Sequence, residues 1–329
     1  MINLTITADE AGRRLDRYLK KYLKSAPLSF IYKAIRKDVK VNGKRAGVDL
    51  ILEAGDEVQL FLSEDKIDEF RQKKEGTKAK KQFEIVYENE QILVVSKPFG
   101  LLTHGSKDEK KNTLSNQVIS YLIETGSYVP SRNTTWAPAP VNRLDRNTTG
   151  LVIFGKTLPA LREMTALIRK SPEEGGIEKY YLTVVKGRLR GEIFLDSKMI
   201  KDEKTNTIKV LSADATEGLS MKTKVTPLDT GRDYSLVLVK LITGRTHQIR
   251  AHLASIGHPV IGDRKYGNPA VNAEMTRRFS LTTQLLHAYR VEIVRAYGVV
   301  ETLTGKAFKA VPPQDFQEIA RSLGLRVNY

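Results

Sequence analysis

The chain has 329 residues, 40% of them hydrophobic, and this length predicts two domains with a sizeable core. It contains no cysteine, which excludes disulfides and thiolate metal sites and makes a reducing cytoplasm the expected location. The net charge of +16 favours a polyanionic partner, usually nucleic acid in the cytoplasm, but charge alone does not separate RNA, DNA and acidic proteins.

The first residues, MINLTITADEAGRR, lack the apolar core of a signal peptide, and no later stretch reaches the ~20 apolar residues of a membrane span. The following residues, 13–23, predict an amphipathic helix with one apolar stripe and basic residues on much of the remaining surface. The stripe consists of Leu15, Tyr18, Leu19, Tyr22 and Leu23.

A second short helix is predicted from Ser29, as its N-cap, to about Lys37. The sequence VKVNGKR then indicates a strand that ends in an Asn42-Gly43 hairpin turn, and AGDEVQLFL indicates another strand. Residues 10–47 contain twelve lysines and arginines against three acidic residues, so this unit is the most basic part of the chain.

The order of these elements resembles the small αL RNA-binding module, and the resemblance covers about residues 12–62. It implies that six basic residues of the module contact RNA. The alternative is that they form a charged face that only contacts water. They are Arg13, Arg14, Arg17, Lys20, Lys44 and Arg45. One departure from the family pattern is Asp38, which stands where glycine is common and brings a negative charge to the expected RNA face.

Three units follow from this pattern: a module over residues 1–62, a charged linker over 63–82 and a second domain over 83–329. The linker, SEDKIDEFRQKKEGTKAKKQ, is charged and poor in apolar residues. The second domain mixes strand patterns such as YYLTVVKG with helical patterns such as LPALREMTALIRK, without strict β-α-β alternation. We therefore predict an α+β fold with a largely antiparallel sheet.

Several kinds of site are not indicated in the second domain. The chain contains no P-loop, dinucleotide-binding glycine pattern or nucleophile elbow. His247, His252 and His258 lie close in sequence, but their spacings of five and six residues place them on different helix faces, without acidic partners at metal-ligand spacing. No metal site is predicted.

Three stretches of this domain combine residues typical of a reactive cleft. VNRLDRNTTG places Asp145 in a loop that enters an apolar strand, where functional side chains are commonly displayed. EKYYLTVVKG places Tyr181 on a strand. LITGRTHQIRAHL has a glycine turn before a helix that opens at Thr246-His247 between two arginines, an arrangement suited to a phosphate-lined cleft.

Together these stretches resemble the RluA/RluC/RluD family of pseudouridine synthases. That family carries a His-Arg-Leu-Asp-x-x-Thr-Ser/Thr-Gly loop, a Lys-x-Tyr strand and a Gly-Arg-Thr-His-Gln-Ile/Leu-Arg segment, here at 142–150, 179–181 and 244–250. VVSKPFGLLTH and LLHAYRVEI match two further family segments, so the resemblance spans about residues 83–315. One departure is Asn142, where histidine is usual. The order of the units is most similar to the RluC branch, which acts on large-subunit ribosomal RNA.

The resemblance implies a pseudouridine synthase domain with a mixed, largely antiparallel sheet, and a reaction that needs no cofactor. It implies that Asp145 is the catalytic carboxylate, that Arg245 is its ion-pair partner, and that Tyr181 stacks on the uracil. Arg143 is expected to fill the space of a flipped nucleotide. Substrate contacts are expected from Arg143, Arg146, Thr148, Thr149, His247, Arg250 and His287, with Arg146 and Arg250 on phosphates.

Two alternatives remain at this stage. A non-enzymatic RNA-binding or ribosome-assembly factor could retain the fold, although loss of the carboxylate would be its first sign. A synthase could instead act on transfer RNA, in which case truncating residues 1–75 should leave activity on short stem-loops unchanged. RNA is the expected partner, no membrane is expected, and we predict a monomer.

Overall fold

The computed structural model describes residues 1–8, 10–70, 80–106, 109–130, 136–171, 174–202, 205 and 207–327. Within these residues the strands form a small sheet near the N-terminus and one large sheet in the remainder of the chain. The α+β class predicted from the sequence is confirmed. No helix in the described ranges combines the length and the apolar character that crossing a membrane requires.

The N-terminal module is an antiparallel sheet of three strands packed against two helices. Its elements are β1 (Ile2–Thr5), α1 (Leu15–Tyr22), α2 (Leu28–Asp38), β2 (Val39–Val41) and β3 (Glu57–Leu60), with the strand order β1-β3-β2. The predicted apolar stripe of α1 forms the core: each of its five side chains is at most 3% exposed. The periodicity of the sequence therefore decides which face of α1 is buried.

Two local predictions in the module need correction. Helix α2 begins at Leu28 after Pro27, and Ser29 is an exposed residue inside its first turn instead of its N-cap. Pro27 has a φ of −60° and no N–H group, so it precedes the helix without leaving a backbone donor unsatisfied. The Asn42-Gly43 turn forms with both residues at positive φ, but its second arm is only the bridge from Val41 to Lys44, because β2 pairs with β3.

The predicted linker contains a further helix, α3 (Glu64–Phe70). Ile67 is 1% exposed within the module core, and the Phe70 ring lies 4.7 Å from that of Phe30. The apolar residues of the first half of this segment thus fold onto the module. Residues 71–79 lie outside the described residues, and the division into domains stays a prediction.

The large sheet contains eleven strands of the described chain, with helices on its faces. The first half of this part of the chain contains β4 (Glu84–Glu88), β5 (Ile92–Lys97), α4 (Leu114–Glu124), β6 (Ala139–Pro140), β7 (Thr149–Gly155), α5 (Leu158–Arg169) and β8 (Ile177–Lys186). Its second half includes β9 (Ile193–Asp202), β10 (Thr207–Leu211), β11 (Leu219–Thr230), β12 (Tyr234–Leu241), α6 (Gln248–Ser255), α7 (Pro269–Phe279), β13 (Leu286–Ile293), β14 (Ala307–Lys309) and α8 (Gln314–Ser322).

The strand order is β10-β9-β11-β12-β8-β13-β7-β5-β4, with β14 beside β13 and β6 beside β7. The pairings between these strands are antiparallel except β13 with β7, which is parallel and short. Strand β7 is buried along its whole length because α4 covers one of its faces and α5 covers the other. Its continuous apolar sequence, LVIF, is typical of a strand buried on both faces.

The contact between β7 and β13 requires a glycine at position 150. Gly150 has a φ of +104°, and a Cβ atom built there would lie 2.2 Å from the Ala288 carbonyl oxygen. Only a residue without a side chain fits this backbone and this approach. The close packing fixes the start of β7, and therefore the end of the loop that carries Asp145, against the centre of the sheet.

Candidate active site

Hydrogen bonds of the residues just before Asp145 fix the loop between β6 and β7. The Asn142 amide donates to the Leu151 carbonyl (3.1 Å) and accepts from the Ile153 N–H (2.9 Å). The Thr103 hydroxyl bonds both the N–H and the carbonyl of Leu144. Asn142, the departure from the family pattern, thus anchors the loop to β7, and the Asp145 side chain remains 36% exposed to the cleft.

The partner of the Asp145 carboxylate is Arg250, and the predicted ion pair with Arg245 is wrong. Arg250 Nη1 lies 3.1 Å from Asp145 Oδ2. Arg245 is exposed and donates from Nε to the Ser220 carbonyl. Arg250 is 6% exposed, and its guanidinium is already bonded within the protein. The predicted contact with a phosphate would therefore require breaking these bonds.

The backbone at His247 decides which arginine faces the carboxylate. His247 has a φ of +53° and precedes α6, so the chain turns sharply between the two arginines. The Gln248 side chain holds this turn by accepting from the Arg245 N–H and donating to the Lys222 carbonyl. Arg250 follows on the buried side of α6, whereas Arg245 stays on the cleft surface.

A second carboxylate, Asp263, holds Arg250 from the other side. Arg250 Nε and Nη2 lie 2.6 Å and 2.7 Å from the two Asp263 oxygens, a bidentate pair, and Asp263 is fully buried. Burial alone would raise the pKa of Asp263, but the hydrogen bonds and charge of Arg250 outweigh it and lower that pKa. Sequence reasoning missed Asp263; its signal was a lone acid directly before the basic pair in GDRKYG.

His247 completes the surroundings of Asp145. Its Nε2 atom lies 3.9 Å from Asp145 Oδ2, and its Nδ1 atom is hydrogen-bonded to the Tyr266 hydroxyl at 3.0 Å. Burial is the main cause that lowers the pKa of His247; the charge of Asp145 opposes this effect and the charge of Arg250 adds to it. The ring is therefore neutral at pH 7 and leaves Asp145 paired with Arg250.

Tyr181 lies on β8, as predicted, and lines the cleft beside Asp145. Its residue exposure is 9%, and no hydrogen bond of its hydroxyl occurs within the described chain. Burial raises its pKa, and the Asp145 charge raises it further, so the phenol stays neutral. A neutral aromatic ring beside a carboxylate is suited to stacking on a base.

The other predicted substrate residues separate into exposed and buried groups. Arg143 and Arg146 are exposed and line the cavity on either side of Asp145. The Thr149 hydroxyl is hydrogen-bonded to His287 Nδ1 at 2.8 Å, and His287 is fully buried with its Nε2 bonded to the Ala310 carbonyl. Burial lowers the pKa of His287 to about 4, so this pair holds β7 to β13 and does not face the cavity. Thr148 is 2% exposed at the edge of the cleft.

Lys97, absent from the predicted site, connects the Asp145 loop to β5. Its side chain is 1% exposed, and Nζ donates to the carbonyls of Pro98 (3.0 Å), Leu101 (2.8 Å) and Arg146 (2.9 Å). Burial lowers the pKa of Lys97 to about 7, opposed by the charge of Asp145. The Lys-Pro-Phe-Gly segment was recognised in the sequence, but nothing there indicates that its lysine reaches residue 146.

The cavity around these residues has a volume of about 1310 Å³, larger than a single base requires, and basic residues outnumber acidic residues in its lining. They are Arg143, Arg146, Arg169, Lys179, Lys222, Arg245, Arg250, Arg264 and Lys265, against the acids Asp145 and Glu174. Such a lining concentrates a polyanion. Within the described ranges no cluster of three or more potential metal-ligating side chains occurs. His252 instead bonds Ser197 and Thr223, and His258 bonds the Lys186 carbonyl.

The basic residues predicted to bind RNA in the module differ in exposure. Arg17, Lys44 and Arg45 are exposed. Arg14 is bonded to Asp16, Lys20 donates to the Ala26 carbonyl, and Arg13 is 9% exposed. The exposed three form the part of the predicted RNA surface that is open to a ligand.

The chain is similar in sequence and in fold to known proteins. The sequence profile of the family described as RNA pseudouridylate synthase matches residues 91–255. The chain is 30% identical to the ribosomal large subunit pseudouridine synthase C of Vibrio cholerae over 88% of both chains. It is 30% identical to the protein of the same name from Escherichia coli K12, over 95% of this chain and 92% of that one. In fold it is similar to human RNA pseudouridylate synthase domain containing 4, with a TM-score of 0.59 and 17% identity over 75% of this chain and 95% of that chain.

Proposed function

The chain belongs to the RNA pseudouridylate synthase family, and from this premise we propose that it isomerises specific uridines of large-subunit ribosomal RNA, with Asp145 as the catalytic group. The observation that carries the proposal is the Asp145 carboxylate, held 3.1 Å from Arg250 and beside Tyr181 in a cationic cleft. An intact carboxylate in this position argues against an inactive RNA-binding factor on the same fold.

The reaction needs a carboxylate and a closed site, and it consumes no co-reactant. The bond between uracil N1 and ribose C1′ breaks, a bond between C5 and C1′ forms, C5 loses its proton and N1 gains one. The product is an isomer, so no oxidation or reduction occurs. Asp145 supplies the nucleophile or base.

The surrounding residues hold this carboxylate in place. Closing a cleft around a base removes water, and removing water disfavours a carboxylate charge. The Arg250 guanidinium opposes that cost through its bond to Asp145, while Asp263 fixes Arg250 by two further bonds. Tyr181 presents its ring to the uracil, and neutral His247 adds no competing positive charge.

The target base must leave its stack to reach Asp145, which costs a few kcal/mol. Arg143 is exposed two residues before Asp145, without a hydrogen bond or ion pair within the described chain, and we assign it to the space that the flipped nucleotide vacates. Arg146, exposed on the other side of Asp145, is assigned to the RNA backbone.

Large-subunit ribosomal RNA is the substrate that the similar proteins support, since both bacterial relatives are named for it. This substrate implies a cytoplasmic enzyme. We further propose that it acts as a monomer. The second candidate, transfer RNA, has only the shared family chemistry in its favour, and the basic module points to the larger RNA.

The test is a map of pseudouridine in large-subunit RNA from three strains: a deletion complemented by the wild-type gene, by Asp145→Asn, or by empty vector. The proposal expects one or more sites to vanish in the deletion and to return only with the wild type. Purified protein acting on ribosomal and transfer RNA transcripts separates the two substrates. If the Asn variant restores the sites, Asp145 is not the catalytic group.

A further inference from the structure

Lys179 extends the active-site cleft along strand β8. It lies two residues before Tyr181, so strand alternation places both side chains on the same face of the sheet. Both residues line the same cavity, and each is 9% exposed. Two residues along a strand span about 6.6 Å. The Lys179 side chain therefore leaves β8 about 6.6 Å from the point where the Tyr181 side chain leaves it.

The Lys179 ammonium has no partner within the described chain. No side-chain hydrogen bond and no ion pair of Lys179 occurs there, in contrast to Lys97, which bonds three carbonyls, and Lys240, which lies 2.6 Å from Glu178. Burial lowers the pKa of Lys179, and no neighbouring charge opposes that effect. A desolvated and uncompensated cation is costly, so the side chain is prepared for an anion that the free protein lacks.

The surroundings of the ammonium leave room for that anion. Nζ lies beside Gly244 in the turn after β12, where a Cβ atom would stand 3.9 Å from it. Because Gly244 has no side chain, the ammonium is not covered from this side. Arg245, the next residue, is exposed on the same turn and lines the same cavity.

We propose that Lys179 binds a backbone phosphate of the RNA in the cleft and acts as a substrate-binding residue outside the chemical step. The inference rests on the proposed RNA substrate. A phosphate carries the full charge that compensates an ammonium, whereas a uracil carbonyl is neutral. The distance along β8 also separates Lys179 from the base that stacks on Tyr181. The ligand is thus a phosphodiester adjoining the target nucleotide.

The experiment compares wild type, Lys179→Gln and Lys179→Arg in full-length protein. Affinity for a large-subunit RNA fragment is measured from low to high salt, and the single-turnover rate is measured at saturating RNA. We expect Lys179→Gln to bind about tenfold more weakly at low salt. The slope of log affinity against log salt should become shallower by about 0.7, one phosphate contact on single-stranded RNA. The saturating rate should stay within about twofold of wild type, and Lys179→Arg should restore the slope.

Lys240→Gln is the matched control. It removes one lysine from the neighbouring strand, but this side chain lies on the opposite face of the sheet with Glu178, so the salt slope should not change. The thermal midpoint of free Lys179→Gln should not fall, because the lost charge had no partner. An unchanged salt slope, or a lower midpoint with unchanged affinity, would overturn the inference. A wild type that forms no pseudouridine would refute the proposed function instead.

Discussion

The Lys97 ammonium donates a 2.9 Å hydrogen bond to the backbone carbonyl of Arg146, the residue that follows Asp145. The same ammonium bonds the carbonyls of Pro98 and Leu101, at the end of β5. One buried side chain thus ties the Asp145 loop to a strand that precedes it by almost fifty residues. The position of Asp145 depends on this connection as well as on the Asn142 bonds to β7.

The first prediction concerns the pH dependence of stability through Lys97. Burial lowers its pKa from 10.5 to about 7, so above pH 7 the native state releases a proton that the unfolded chain still holds. The free energy of unfolding then rises with pH. The cost of burying the Lys97 charge should fall by about 2 kcal/mol between pH 7 and pH 9. Urea unfolding of wild type and Lys97→Met at both pH values measures it. The difference between the two proteins should move in favour of wild type; an opposite change would contradict the pKa direction.

The second prediction separates the two carboxylates of Arg250. Asp263→Asn breaks a fully buried pair and should lower the free energy of unfolding by about 3 kcal/mol. Asp145→Asn removes a partly exposed partner and should cost less than about 1 kcal/mol, while abolishing pseudouridine formation. Denaturant unfolding and an RNA activity assay give both readouts. Equal stability losses in the two variants would show that the two carboxylates hold Arg250 equally.

The third prediction distinguishes the two arginines of the GRTHQIR segment. Arg250→Lys loses the fork that bonds Asp263 twice, so Asp145 loses its fixed partner, and the saturating rate should fall about 100-fold. Arg245→Lys keeps a charge at the exposed cleft surface and should stay within about threefold of wild type. Single-turnover rates measure both. The reverse ranking would restore Arg245 as the partner of the carboxylate.

The fourth prediction concerns the exposed cations of the module. Reversing the charge at Arg17, Lys44 and Arg45 together should raise the KM for large-subunit RNA at least tenfold and leave kcat unchanged, because these residues lie outside the cavity. Steady-state kinetics on long and short transcripts measure the effect. Short stem-loops should be modified as well as before. A fall in kcat on every RNA would indicate that the module contributes to the catalytic site itself.

Local patterns in the sequence were sufficient to locate Asp145 and Tyr181. The polar residues before LVIF place Asp145 in a loop that enters a buried strand, and the strand pattern of YYLTVVKG places Tyr181 on β8. The α1 stripe was equally predictable because helical periodicity alone determines its buried face. In each case the residues that decide the structure are close neighbours in the chain.

The partner of Asp145 could not be predicted in the same way. Arg245 and Arg250 belong to one segment, and the positive φ of His247, a conformation uncommon outside glycine, determines which of them turns inward. Asp263 and Lys97 contribute through bonds to Arg250 and to the Arg146 carbonyl, which only the folded chain brings together. Helix α3, inside the predicted linker, was not predicted for the same reason. Ile67 is buried by tertiary packing, which the charged composition of the segment does not indicate.

The position of strand β13 determines when the cleft can form during synthesis of the chain. Residues 286–293 form β13, which comes late in the chain but lies between β8 and β7 in the sheet. Without β13, the strands next to β8, which carries Tyr181, are not joined to β7, which follows the Asp145 loop. Such long-range strand pairing is slow, and chains fold from the N-terminus as they emerge from the ribosome. The two walls of the cleft therefore meet only when the chain is almost complete, and the nascent enzyme is inactive until then.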